Sequence, residues 1–191
     1  MIDIYLLTQV SFKVLHMASA PTTAHLIYGP TAAGKSTHAR ELAANINGVR
    51  FAIDDWMHRL FAADLPAGMD LSWVMDRVAR CQAMIGSTAL QVLATGTDVV
   101  LELGLLREAD RDRAKSMIES AGYEVSFTFI DADLATRRQR VLHRNLHRGE
   151  TWSFDVTPIM FNTMEDWFER PSAGELSRSM VLTGGSANDL A

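Results

Sequence analysis

The residues Gly29-Pro30-Thr31-Ala32-Ala33-Gly34-Lys35-Ser36 match the spacing G-x-x-x-x-G-K-[ST] at every fixed position. Phosphate oxygens must come close to a backbone to be held by it, so bulky side chains are excluded from such a turn. Gly29 and Gly34 also permit backbone angles that other residues resist. Successive N–H groups can then converge as an anion nest at the positive end of the helix that follows. Lys35 brings a point charge to the β- and γ-phosphates, and Ser36 offers a hydroxyl to Mg²⁺. The alternative, a chance match in a loop rich in Ala and Gly, is disfavoured by the apolar segment before it and the helix-forming segment after it.

Three further segments carry chemistry. "RFAIDDWMHRLF" ends an apolar run in Asp54-Asp55. A carboxylate there stands at the edge of the sheet where open α/β folds bind ligands, and can accept the proton of an attacking hydroxyl. Asp54 is expected to face the site and Asp55 to cap the next helix, although either could be the base. "DVVLELGLLREADRDR" places Glu102 after an apolar strand, where an acidic residue holds Mg²⁺ through water or orients a nucleophile; a structural pairing with an arginine is the plainer alternative. Gly104 permits close approach. Arg107 and Arg111 could reach an anionic group or line a solvated face, Arg111 being the better candidate. In "DLATRRQRVLHRNLHRGE", Arg137, Arg140, Arg144 and Arg148 recur along one helix face. Like charges at that spacing repel unless anions compensate. A helix closing over a triphosphate supplies the anions, and arginine stabilises charge on the transferring group; a solvated basic face is the bland reading.

These residues need elements to position them. His25–Tyr28, Val49–Ile53, residues 98–103 and residues 124–131 read as strands. Lys35–Ile46, a long segment capped by Asp70 or Ser72, Glu108–Ala121, Arg137–Arg148 and Asp155–Glu169 read as helices. In the long segment Val74, Val78, Cys81, Ile85, Thr88 and Val92 form an amphipathic stripe. Val181-Leu182-Thr183 reads as an edge strand. Strands alternate with helices throughout, so the expected class is α/β with a mostly parallel sheet. The expected organisation is an N-terminal extension over 1–20, added or disordered, a main domain over 21–183 with a lid at about 133–153, and a flexible tail over 184–191. Ala18-Ser19-Ala20 resembles a signal cleavage site, but the basic stretch that should precede it is missing, and Met17 is a natural beginning.

The chain of 191 residues carries a net charge of −5 and one cysteine, Cys81. No internal disulfide can form, and a reducing cytoplasm is the natural setting. An acidic chain with one basic stripe suits a small anionic ligand better than nucleic acid or an anionic membrane. No N-K-x-D segment for guanine and no "LSGGQ" is present.

The segments "GPTAAGKST", "IDDWM", "VVLELG" and "RVLHRNLHRGE" together resemble the P-loop small kinases grouped around polynucleotide 5′-hydroxyl kinases, chloramphenicol phosphotransferases and zeta-toxin-like kinases. Many bacterial members carry the label AAA family ATPase. The resemblance covers roughly residues 24–170. It implies a P-loop NTPase fold of the nucleoside-kinase kind, a parallel sheet with helices on both faces and an Arg-rich lid. It also implies ATP and Mg²⁺ held by Lys35, Ser36 and Thr37, Asp54 activating the acceptor hydroxyl, and Arg144 and Arg148 on the ATP phosphates, with Arg140 on the same face. Two departures stand out. Glu102 is one methylene longer than the usual Asp. Met57 stands where the polynucleotide kinases carry an arginine, and Arg59 is out of register. Trp56, Met57, Phe61, Trp73 and Trp152 could line an apolar acceptor pocket, with core packing the stronger reading for Trp73. The expectation is therefore transfer of a phosphoryl group from Mg-ATP to a small hydroxylated molecule, with nucleic acid and membrane not expected and a homodimer open. A nucleotide-gated regulatory module that transfers nothing is the alternative from another class.

Overall fold

The computed structural model describes residues 21–66, 70–149 and 152–183. Five strands form one fully parallel sheet: β1 Thr23–Tyr28, β2 Val49–Ala52, β3 Val99–Glu102, β4 Glu124–Asp131 and β5 Ser179–Thr183, in the spatial order β2-β3-β1-β4-β5. β1 lies in the middle and pairs with both β3 and β4. The chain leaves it toward one edge and later crosses to the other, so a crevice opens at the carboxyl ends of β1 and β3, the place where such sheets bind ligands.

Alternation along the strands fills two layers. Ala24, Leu26 and Tyr28 of β1, with Val99 and Leu101 of β3, face α3 (Leu71–Ala94) and α4 (Glu108–Ser120), whose Cys81, Ile85, Ala89, Leu93, Ala114 and Ile118 complete the larger core. Ile27 and Val100 face the other way, toward Ala39 and Ala43 of α1 (Lys35–Asn45). A small satellite of Val141, Val156 and Phe161 joins α5 (Leu134–His147) to α6 (Pro158–Trp167). Cys81 is a buried free thiol of the core. Asp70 caps α3 through the N–H groups of Ser72 and Trp73, and Thr157 caps α6 with Pro158 in its first turn.

Several boundaries differ from the sequence reading. The strand expected to run to Ile53 ends at Ala52, and Ile53 opens α2 (Ile53–Phe61). Asp54 and Asp55 therefore sit in the first turn of a helix, where the helix dipole favours negative charge. Beyond Gly86 the buried positions of α3 are Ala89 and Leu93 rather than Thr88 and Val92. Gly86 lets Met117 of α4 pack closely, since an added Cβ would lie 2.7 Å from the Met117 sulfur. The expected extension and tail, residues 1–20 and 184–191, lie outside the described residues.

Arg111, expected to reach an anionic ligand, is instead a core residue. It is 1% exposed. Its Nε donates to Glu175 Oε1 at 2.5 Å and its Nη2 to Oε2 at 3.1 Å, while Nη1 donates to the carbonyls of Leu105 and Leu106. Its guanidinium lies 5.0 Å from the Tyr28 ring centre. Glu175 belongs to α7 (Ala173–Leu176). The hydrogen bond from Arg111 holds the Glu175 carboxyl below the ordinary carboxylate range. Its stabilising contribution is thus present above that range and is lost as acid protonates Glu175. Glu175→Ala strands a buried guanidinium and is expected to cost about 3–5 kcal/mol in urea unfolding, whereas the double change Arg111→Met with Glu175→Leu should recover most of that loss.

Candidate active site

The loop between β1 and α1 is shaped by what it must avoid and by what holds it from outside. Gly29 has φ +147°, and a Cβ there would lie 2.0 Å from the Ile130 carbonyl oxygen, so only glycine lets β1 end so close to β4. Gly34 opens α1 at φ +111°. Ala32 also takes a left-handed conformation, φ +61°, which costs a non-glycine residue about 1 kcal/mol. Two arginines of α5 offset that strain. Arg140 Nη1 donates to the Ala33 carbonyl at 3.2 Å and to that of Ala32 at 3.5 Å, and Arg137 Nη1 reaches the Thr31 carbonyl at 3.5 Å. A peptide's C=O and N–H point in opposite directions. Carbonyls drawn toward α5 leave the partner amides of Ala32 and Gly34 on the opposite side of their peptide planes, while the Ala33 N–H donates to the Pro30 carbonyl at 3.3 Å. Lys35 Nζ donates to the carbonyls of Gly29 at 3.0 Å and Pro30 at 2.8 Å.

A cleft of about 610 Å³ opens over this loop. Lys35, Ser36, Asp54, Glu102, Arg140 and Arg144 all line it, together with Thr31, Ala32, Ala33, Gly34 and Thr37 of the loop and the start of α1. Asp54 is open to the cleft, yet the walls close around it. That loss of water raises its carboxyl above the ordinary range; Glu102 pushes the same way, while Lys35 and Arg144 oppose. Burial likewise lowers Lys35 and Arg144, against the pull of Asp54 and Glu102. The Arg144 Nε is buried without a hydrogen-bond partner. A cation held over a phosphate loop with an unused donor fits an anionic ligand. Glu102 accepts from Ser36 Oγ at 2.5 Å. Ser36 and Glu102 fit the protein's share of a Mg²⁺ whose other ligands are phosphate oxygens and water. Among the described residues no cluster of three or more His, Cys, Asp or Glu could hold a metal by itself.

The four arginines expected on one lid face take separate roles. Arg137, 2% exposed, forks onto Glu165 of α6 and donates Nε to the Ala132 carbonyl at 2.9 Å, so it anchors α5. Arg140 braces the loop and Arg144 faces the cleft. Arg148, expected on the ATP phosphates, is not among the cleft residues. It takes a left-handed conformation at the end of α5, pairs with Asp155 at 2.9 Å and lies over the Trp152 ring. Asp55, expected as a cap, caps nothing: it accepts from Arg50 Nη1 at 2.9 Å and from Ser153 Oγ at 3.1 Å. Trp56, Met57 and Phe61 pack on the main core, Trp73 meets Phe61 edge to face with Arg77 over its ring, and Trp152 meets His58. None of the five lines the cleft. Arg50, which donates to Glu102 at 2.8 Å, was not singled out by the sequence reading. Its only signal was a basic residue two places before the apolar end of a strand.

The fold and the loop together define a P-loop α/β domain. The chain belongs to the AAA_33 family, an AAA domain, which matches residues 25–171. Among solved structures it is similar to a gluconokinase from Sinorhizobium meliloti 1021 (TM-score 0.59, 20% identity, covering 89% of this chain and 87% of that one). It is similar also to the Mycobacterium tuberculosis APS kinase CysC in complex with AMPPNP and APS (0.56, 18%, 88% and 92%) and to Chaetomium thermophilum Kti12 in complex with ADP-AlF3 (0.60, 14%, 84% and 87%). No curated protein matches the sequence. Among the described residues no helix is long and apolar enough to cross a membrane.

The raised Asp54 carboxyl makes a prediction about the ligand-free protein. A carboxyl raised on folding destabilises the folded state above its folded pKa, and that penalty disappears as pH falls below the unfolded value of about 3.9. Asp54→Asn is therefore expected to raise the Tm at pH 7, with the gain shrinking toward pH 4, as differential scanning calorimetry across pH will show.

Proposed function

We propose that this protein is an ATP-dependent phosphotransferase that moves the γ-phosphoryl group of Mg-ATP to a hydroxyl of a small molecule. The observation that carries this reading is the meeting of Lys35, Asp54 and the Arg144 guanidinium, with its unpartnered Nε, over one phosphate loop. The amides of the loop bind the phosphates, and Lys35 leaves its carbonyl partners to meet the β- and γ-oxygens. Asp54 accepts the hydroxyl proton of the acceptor as that oxygen bonds to the γ-phosphorus. The bond from that phosphorus to the β-bridging oxygen breaks, and ADP leaves. A raised carboxyl suits this work, because a base is most effective when its pKa approaches the working pH. Arg144 donates to the oxygens of the transferring group, and Ser36 with Glu102 holds the metal side. Mg²⁺, when bound, neutralises charge on the phosphates and draws electrons toward the leaving oxygen. Arg137 and Arg140 act earlier, by shaping the loop. In this reading α5 acts as a lid that excludes water on closure, residues 150 and 151 of the expected lid lying outside the described residues. A reducing cytoplasm fits the single buried thiol Cys81.

A second reading has one observation in its favour. Both oxygens of Glu102 are engaged within the protein, by Ser36 and by Arg50. A regulatory domain that binds nucleotide and transfers nothing could keep such a closed arrangement, and the fold is shared with Kti12 as well as with metabolite kinases.

ADP release is to be measured against a panel of sugars, sugar acids, hydroxylated nucleotides, aromatic alcohols and oligonucleotides with free 5′-hydroxyls. Stimulation by a small hydroxylated compound, with phosphate appearing on it, is the expected result. Asp54→Asn is expected to lower kcat with that acceptor about 10²–10⁴-fold while leaving ATP affinity close to wild type. An unchanged kcat contradicts the assignment of Asp54 as base. Tight nucleotide binding with no acceptor across the panel favours the regulatory reading, and transfer to the oligonucleotides alone contradicts the small-molecule acceptor.

A further inference from the structure

Arg50 sits on β2 two residues before Ala52, and Ala52 is in register with Glu102 of β3. Alternate residues share a face of a sheet, so Arg50 and Glu102 project to the same side on neighbouring strands. They meet at 2.8 Å, Nη2 to Oε2. The other arm of the guanidinium, Nη1, donates to Asp55 Oδ2 at 2.9 Å, and the second oxygen of Asp55 is held by Ser153. The second oxygen of Glu102 holds the Ser36 hydroxyl. The side chains of Arg50 and Glu102 are 15% and 8% exposed.

Stability does not account for this pair. Buried ion pairs return little net stability over apolar packing, and the Arg50 Nε is buried with no partner, a further cost. Positioning does account for it. Glutamate reaches farther than aspartate but has one more rotatable bond, and a carboxylate held at only one oxygen can swing away. A planar fork fixed between two carboxylates removes that freedom, which a lysine's point charge cannot do. With Glu102 fixed, the Ser36 proton is directed to Oε1 and the lone pairs of Ser36 Oγ remain available to a hard cation.

We propose that Arg50 is the positioning residue of the metal side of the cleft: it fixes Glu102 so that Ser36 presents its oxygen to the Mg²⁺ of a bound nucleotide, and Glu102 with Arg50 forms a matched pair in place of a shorter aspartate. This rests on the reading of the 29–36 loop as a magnesium–nucleotide site, but on neither the acceptor nor the transfer step.

The test is calorimetric titration of the full chain with β,γ-imido ATP, in EDTA and over a Mg²⁺ series, with the ligand-free Tm recorded for each variant. The wild type is expected to bind more tightly with Mg²⁺. Arg50→Met is expected to raise the Mg²⁺ concentration for half-maximal enhancement about 10–100-fold, the usual effect of losing an outer partner of a metal ligand, with affinity in EDTA unchanged. Arg50→Lys is expected to lie between the two, and serves if Arg50→Met does not fold. Glu102→Asp is expected to weaken the Mg²⁺ effect in the wild-type background but to add nothing on top of Arg50→Met, because the two changes break one coupled unit. A wild-type Mg²⁺ dependence in Arg50→Lys or Arg50→Met overturns the inference. So does an equal loss of affinity with and without Mg²⁺, which marks a merely structural role. A wild-type chain that binds no nucleotide overturns the proposed function itself and is recognisable before any variant is compared.

Discussion

The orientation of a few peptide planes between Gly29 and Gly34 governs the rest of this molecule. Arg137 and Arg140 draw the carbonyls of Thr31, Ala32 and Ala33 toward α5, and the amides of Ala32 and Gly34 lie on the far side of those planes, while the Ala33 N–H closes a turn onto the Pro30 carbonyl. Ala32 accepts a left-handed conformation in consequence. The arrangement binds α5 to the loop, and Arg137 binds α5 in turn to α6 through Glu165. A helix of closely spaced arginines would repel itself if all its charges pointed at one void. Here the charges are distributed: one to a carboxylate, one to loop carbonyls, one to the cleft and one to Asp155 at the helix end. Of the four, Arg144 carries a buried donor without a partner, its Nε.

Both signs of charge meet in the cleft. Asp54 and Glu102 face Lys35, Arg140 and Arg144 around the cleft, and Arg50 pairs with Glu102 and Asp55 behind it. Loss of water between the cleft walls raises Asp54, although it is open to the cleft, and lowers Lys35 and Arg144, so each of the three sits in a setting that disfavours its charge. A fold gains nothing from such a cluster, and sites that act on charged ligands are where it is commonly found. The larger core of α3, α4 and the sheet, closed off by the Arg111–Glu175 pair, provides the stability on which the cleft draws.

The fold was legible in the sequence because its signals are local. The glycine spacing of the loop, the alternation of apolar strands with helical stripes, the Asp70 cap and Pro158 in a first turn each depend on a few neighbouring residues. What the sequence hid is what depends on distant pairing. Arg111 looked like a ligand arginine because its partner, Glu175, lies 64 residues away on a short helix. Asp55 looked like a cap because the start of α2 depends on one residue, Ile53, that reads equally well as strand. Arg50 escaped notice because a basic residue in an apolar strand gains meaning only once β2 is known to lie beside β3. The spacing of Arg137, Arg140, Arg144 and Arg148 carries no information on what each faces, and the helix ends at His147, so Arg148 leaves it in a left-handed conformation.

The most direct measurement is a crystal structure of the protein with Mg²⁺ and a non-hydrolysable ATP analogue. The expected result has the β- and γ-phosphates within the amides of residues 31–36, Arg144 Nε donating to a γ-oxygen, and Asp54 on the open side of that phosphorus with room between them for a hydroxyl. Nucleotide bound elsewhere, or bound at the loop with Asp54 and Arg144 both turned away from the γ-phosphate in a closed cleft, would contradict phosphoryl transfer at this site.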